Sequence, residues 1–189
     1  MRADEVEITM KPRLVSFPTF DRETKDLTVV IETPKGSRNK FDYDEDKGVF
    51  TLANVLPQGN AFPNEFGFIP STRGEDGDPL DVMVLLDEPT HVGCVLTARL
   101  IGVIEARQKE NGKTCRNDRL IAVATHAHVH GEIESLSKLD KKIVDEIEHF
   151  FCSYAEMRGK TLTPLGRFGP RRALKLVTTG MKKFKKEKS

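Results

Sequence analysis

Asp76, Asp78 and Asp81 fall within one short run, Asp76-Gly77-Asp78-Pro79-Leu80-Asp81. Three carboxylates this close repel one another, and burial raises their pKa values unless cations neutralise them. Hard, oxygen-seeking Mg²⁺ or Mn²⁺ does that well. Gly77 lets the chain turn tightly and Pro79 stiffens it. The apolar run that follows, through Leu86, reads as a buried strand that fixes Asp81 at a sheet edge. The competing reading of these residues is a solvated acidic turn. A calcium loop of the EF-hand kind does not fit, because the twelfth position counted from Asp76 is Asp87 and not a bidentate glutamate.

A second constellation is His126, His128 and His130, which share one face if the chain there is extended. Three imidazoles suit Zn²⁺; the plainer reading is a histidine-bearing loop after a strand. Cys94, Cys115 and Cys152 show no metal or redox spacing and read as reduced thiols in a cytoplasmic protein. No serine or cysteine carries a motif that marks a nucleophile.

The elements that must position the aspartates are legible in outline. Leu27–Thr33 is β-branched and ends at Pro34-Lys35-Gly36, as a strand does. Lys40–Asp44 alternates polar and aromatic residues, and a turn at Asp46-Lys47-Gly48 leads into Val49–Leu52. Residues 57–80 hold so many prolines and glycines that a helix is forbidden and a long irregular path is expected. Val92–Glu105 is a long apolar strand, bent near Gly102. Arg119–Ala124 is another, with a hairpin turn at Asn111-Gly112 between them. Leu139, Ile143, Ile147, Phe150, Tyr154 and Met157 then repeat at helical spacing up to Gly159. Pro170 suits the first position of a second helix.

Strands first and helices later predict an α+β domain, mainly β, with two flanking C-terminal helices. Residues 1–26 read as an N-terminal arm, 27–180 as one domain and 181–189 as a lysine-rich, frayed basic tail. The 189 residues suffice for one sizeable core. The net charge of +1 gives no global field that favours nucleic acid. With no Trp and two Tyr the chain also lacks the aromatic platform of single-strand binders. No run is long and apolar enough for a membrane helix, and the N-terminus has no apolar signal core. The expected partners therefore include neither nucleic acid nor membrane.

Asp76-Gly-Asp-Pro-Leu-Asp-Val82 resembles the signature of the soluble, family I inorganic pyrophosphatases. So do Val30-Ile-Glu-Thr-Pro34 with Lys40-Phe-Asp42, Phe62–Pro70, and His149–Tyr154 with Gly159-Lys160. The resemblance runs from about Leu27 to Leu176. It implies a distorted, closed β-barrel of the OB type and Mg²⁺-dependent hydrolysis of inorganic diphosphate, with Mn²⁺ as a substitute. It implies a homo-oligomer, often a hexamer. Asp76 and Asp81 would be metal ligands, and Asp78 would take the proton of a metal-bridging water. Glu32 and Asp42 would assist the metal or its water. Lys40, Tyr154 and Arg119 would meet phosphate. The structural alternatives are a core tyrosine at Tyr154, a weak Lys40–Asp42 ion pair, and an edge charge at Glu32.

The chain departs from the family pattern at three phosphate positions: Asn54 stands for an arginine, Phe66 for a tyrosine, and Ala155 for a lysine. A further pair of metal aspartates belongs in the hairpin between Gly102 and Leu120. One falls on Gln108 or Glu110, the other on Asn117 or Asp118, and Asp118 is preferred as the anionic choice. Arg73 and the arginines of 166–172 are available as replacement cations. A family member that binds metal and phosphate with weak or altered activity, on another phosphoanhydride or in a regulatory role, is the alternative function.

Overall fold

The computed structural model describes residues 13–187. Nine strands and two α-helices follow in the order β1 (Leu27–Thr33), β2 (Asn39–Asp44), β3 (Val49–Val55), β4 (Glu65–Ile69), β5 (Leu80–Leu85), β6 (Val95–Glu110), β7 (Lys113–Arg116), β8 (Arg119–Ala124), α1 (Lys141–Met157), β9 (Thr161–Phe168) and α2 (Pro170–Glu187). The pairings β1–β4, β4–β5, β5–β8, β8–β6 and β6–β1 return to their start. Five strands therefore close on themselves in a distorted ring, the arrangement expected of an OB-type barrel. All of these pairs are antiparallel except β5–β8. The excursion through β6 and β7 supplies the crossover that a parallel pair needs.

Each residue of β1 is buried, and the reason is that both its faces are covered. Leu27, Val29 and Ile31 enter the main core, while Val30 packs outward against Val15 and Phe68. Each such Val or Ile contributes about 1.5–3 kcal/mol of burial. At Gly67 the β4 backbone passes so close to β1 that a Cβ would stand 2.0 Å from the Val30 carbonyl oxygen. Only glycine permits that register. The long β6 bends at a register shift between Leu100 and Gly102. Its first part closes the ring against β1, and its last part carries β7 and β9.

Three expectations change. The irregular path over 57–80 contains β4, because Phe66, Phe68 and Ile69 gain more from the core than the flanking glycines and prolines cost. Thr161–Phe168 forms β9, which the sequence did not mark as a strand. The basic tail is helical as far as Glu187, with Phe184 buried and Arg73 paired to Glu187. Of the N-terminal arm, residues 1–12 lie outside the described part. The remainder makes a 3-10 turn at Leu14–Ser16 and buries Val15.

Helix α1 starts at Asp140, whose carboxylate accepts the Lys142 N–H at 2.8 Å. Its buried face is Val144, Ile147, Phe151, Tyr154 and Ala155, rotated slightly from the expected stripe through Ile143, Phe150 and Met157. Phe62 draws it in, with ring centroids 5.0 Å from Phe150 and 5.5 Å from Tyr154.

Candidate active site

The acidic run leaves β4 and enters β5 as a loop pinned at its base. Thr72 donates its hydroxyl to the Ile69 carbonyl at 2.6 Å and accepts the Leu80 N–H at 3.0 Å. Gly74 N–H donates to the Asp78 carbonyl at 2.7 Å. Gly77 has φ of 93°, in the left-handed region where a side chain is disfavoured, and Arg73 donates to its carbonyl at 2.9 Å. The result presents Asp76, Asp78 and Asp81 to one cavity of about 460 Å³.

The second wall comes from β1 and β2. Glu32 leaves β1 beside Lys40 and Asp42 of β2, and all three line the same cavity. Lys40 Nζ is 3.0 Å from Glu32 and 2.5 Å from Asp42. Glu32 also accepts the Tyr43 N–H at 2.9 Å. The Lys40 ammonium sits 5.0 Å from the Phe66 ring centroid, so Phe66 supplies an aromatic face there and no hydroxyl. Asn54, opposite Lys40 in the β2–β3 pair, turns its Oδ1 to the Val55 N–H and does not line the cavity.

The hairpin wall separates Asp118, the preferred choice, from the other candidates, although Asp76, Asp81 and Asn117 border its cavity too. Gln108, Glu110 and Asn117 line the cavity, while Asp118 faces a second one of about 270 Å³ behind the acidic loop. There its Oδ1 accepts the Ala106 N–H at 2.9 Å and Arg116 at 2.8 Å, and Arg116 also reaches Glu105 at 2.8 Å. Neighbouring residues of an extended chain point to opposite sides, so only one of Asn117 and Asp118 can face the site. Asn117 does, and its amide donates to Gln108 at 3.1 Å. Glu110, the other candidate, is paired with Lys160 at 2.9 Å.

Arg119 and Tyr154 complete the floor. Arg119 is buried, ion-paired with Asp81, and lies 5.2 Å from the Phe151 ring centroid. Its Nε has no acceptor in the protein. Burial pulls its guanidinium down to about 10. Tyr154 is a core tyrosine and a cavity residue at once: its hydroxyl accepts from Arg158 at 3.1 Å.

Two cations in the cavity wall escaped the sequence reading, Arg158 and Lys160. The available signal was helical spacing, since Arg158 stands one turn beyond Tyr154. Three of the expected replacements are engaged by carboxylates, Arg73 with Glu45 and Glu187, Arg167 with Asp145 and Glu148, and Arg172 with Glu105, and Arg171 does not line the cavity. The chain leaves extended conformation after Ala124, so alternation does not put His126, His128 and His130 on one face. The His128 and Val129 N–H groups instead donate to Asp87.

The electrostatics favour a cation. Asp78 is exposed as a residue, yet partial desolvation of its carboxyl at the cavity wall, with Asp76 and then Asp42 and Glu45 adding repulsion, moves it above its usual range; Arg73 opposes this. Burial pushes Glu32 up as well, against the pull of Lys40. Among the described residues no three acidic, His or Cys side chains make a ready coordination cage. Lys40 and Arg119 hold three of the carboxylates instead. Asp76, Asp78, Asp81, Glu32 and Asp42 are all oxygen donors around one cavity, a set whose chemistry fits a hard divalent cation.

Residues 29–185 match the family model described as inorganic pyrophosphatase. The inorganic pyrophosphatase of Halalkalibacterium halodurans is 41% identical over 138 residues, 73% of this chain and 82% of that one. That of Synechocystis sp. is 38% identical over 84% of this chain and 92% of its own. The crystal structure of inorganic pyrophosphatase from Thermus thermophilus superposes with a TM-score of 0.84 at 32% identity, covering 92% of this chain and 99% of the other.

Proposed function

The chain belongs to the inorganic pyrophosphatase family, and from that premise we propose that it hydrolyses inorganic diphosphate in the cavity around Asp78. One observation carries the assignment of the base. Asp78 faces the cavity from the loop that also presents Asp76 and Asp81, is not ion-paired to a cation among the described residues as Asp81 is to Arg119, and has its affinity for a proton raised by partial desolvation and by the adjacent Asp76. A general base works best when its pKa approaches the working pH, and this environment moves Asp78 in that direction. Asp78 takes the proton of the attacking water. Asp76 and Asp81 hold Mg²⁺, for which Mn²⁺ can substitute, and Glu32 and Asp42 support it from the facing wall. When bound, the metal supplies neutralising charge for the carboxylates and for the phosphates. Lys40, Arg119 and Tyr154 orient the phosphate groups, Arg119 with a donor that has no partner in the protein.

The test is phosphate release from diphosphate with Mg²⁺, for the wild type and Asp78→Asn. A loss of at least about a hundredfold is expected when a general base is removed. Equal rates would refute the assigned role. The changed phosphate positions favour a second reading: Asn54 does not line the cavity and Ala155 brings no charge to it, so turnover is weak or another phosphoanhydride is preferred. Rates on diphosphate and triphosphate, side by side, separate the two. A homo-oligomer, a hexamer included, belongs to the same proposal and is checked by sedimentation. So does a cytoplasmic location, which accords with three free cysteines. Among the described residues no helix is long and apolar enough to cross a membrane.

A further inference from the structure

The cavity is uneven in charge. Its acidic loop and the β1–β2 wall carry carboxylates, while the end of α1 and the turn into β9 carry Arg158 and Lys160. Ala155, in the last turn of α1 before Arg158, also lines the cavity and offers only a methyl group. Arg158 is exposed at the end of the helix, and no carboxylate lies in ion-pair contact with it among the described residues; its one hydrogen bond goes to the Tyr154 hydroxyl, and its guanidinium lies 5.7 Å from the Tyr154 ring centroid. That pairing orients an Arg fork and a phenol together at the cavity rim. Lys160 is held differently, by Glu110 at 2.9 Å across the mouth, where Glu110 is 45% exposed.

We infer that Arg158, set by Tyr154, binds a terminal phosphate of the substrate in place of the charge missing at Ala155, and that Glu110 competes with that phosphate for Lys160. This rests on the reading of the cavity as a diphosphate site and adds to it the residues that hold the distal group. A guanidinium presents two donors to a phosphate in fixed geometry, which an alanine at 155 cannot do. The carboxylate of Glu110 occupies Lys160 in the free protein. A dianionic phosphate near Lys160 draws that ammonium away, at the cost of one exposed ion pair.

The experiment is calorimetric titration of the full chain, in Mg²⁺, with methylenediphosphonate, which cannot be hydrolysed. Arg158→Ala weakens binding by about tenfold or more, as expected for a lost charge-assisted hydrogen bond. Arg158→Lys keeps the charge and recovers part of that loss. Lys160→Ala weakens binding by about two- to fivefold, and Glu110→Gln tightens it by a similar factor. Glu110→Gln keeps the volume and reports on charge, and Arg158→Lys keeps the charge and reports on the two-donor fork, even if the alanine variant is poorly folded. Coincident isotherms for Arg158→Ala and wild type overturn the inference, as does weaker binding by Glu110→Gln. If Asp78→Asn abolishes hydrolysis while the Arg158 variants bind as wild type does, the inference falls and the diphosphate site stands. If the wild type neither binds methylenediphosphonate nor releases phosphate, both fall.

Discussion

The acidic loop and the β6–β7 hairpin face each other across one cavity, yet they meet it with different chemistry. The loop presents three carboxylates, Asp76, Asp78 and Asp81. The hairpin presents two amides, Gln108 and Asn117, bonded to each other, and one carboxylate, Glu110, already engaged by Lys160. The hairpin does contain a half-buried aspartate, but Asp118 lines the second cavity and braces Ala106 and Arg116. Charge in the sequence is therefore not charge in the site. In a loop pinned by glycine and proline, several neighbours can converge on one side. In an extended segment, alternation sends each second residue to the other face.

Removing loop carboxylates is expected to have the largest effect. Asp81→Asn and Asp76→Asn each lower diphosphate hydrolysis at least about a hundredfold and weaken Mg²⁺ binding measured by calorimetry. Asp118→Asn leaves both nearly unchanged. If Asp118→Asn costs as much as Asp81→Asn, the contrast between the two walls is wrong. Asp118 should show itself in stability instead. Asp118→Ala strands the Ala106 N–H, whose acceptor it is, and costs about 1–3 kcal/mol in denaturant titration. For a chain of this size each of those kcal/mol lowers the melting temperature by about 2–4 °C. A smaller effect of opposite sense follows from making the hairpin resemble the loop. Asn117→Asp adds an anion to the cavity and shifts half-activation to Mg²⁺ concentrations lower by about threefold to tenfold, since ligand charge tunes affinity. No shift would mean that the hairpin does not meet the metal.

The same contrast explains what the sequence could and could not disclose. Glu32, Lys40, Asp42, Asp76, Asp78, Asp81, Arg119 and Tyr154 all face the cavity, because their positions follow from strand alternation, a short loop and one helical face. Strand order predicts the α+β class and the family resemblance the closed ring, while the helix after Asp140 follows from its spacing. Asp118 lines the second cavity and Asn117 the first, a choice that depends on a single residue of register, which composition does not fix. Strand β9 was missed for a related reason. Thr161-Leu-Thr-Pro-Leu-Gly-Arg-Phe168 holds a proline and a glycine, and it is a strand because β6 extends far enough to pair with it, with a register shift between Glu105 and Ala106. Tertiary pairing overrode weak local preference. Arg158 was missed because its neighbour in space, the Tyr154 hydroxyl, is one helical turn away and not adjacent in the motif.

The finest distinction between the two walls is how each keeps its carboxylate. Desolvation raises both Asp78 and Asp118; at Asp118 the Ala106 N–H and Arg116 oppose it directly and Glu105 adds only a lesser rise, while at Asp78 the repulsion of Asp76 comes next after desolvation and Arg73 alone opposes it. For Asp78 the folded-state pKa therefore lies above its unfolded value of 3.8. In the window between those two values the folded protein binds more protons than the unfolded chain. Stability then falls as pH rises through the window, and above it the ionised carboxylate carries its full repulsion. Asp78→Asn has no such titration. Its melting temperature, without metal, is expected to exceed that of the wild type modestly at neutral pH and to converge with it below the unfolded value. Mg²⁺ should close the gap at neutral pH from the other side, by neutralising the wild-type cluster. A variant less stable than wild type at neutral pH in chelator would show that the Asp78 carboxylate is held by attraction, and the acidic loop would then differ from Asp118 in position alone.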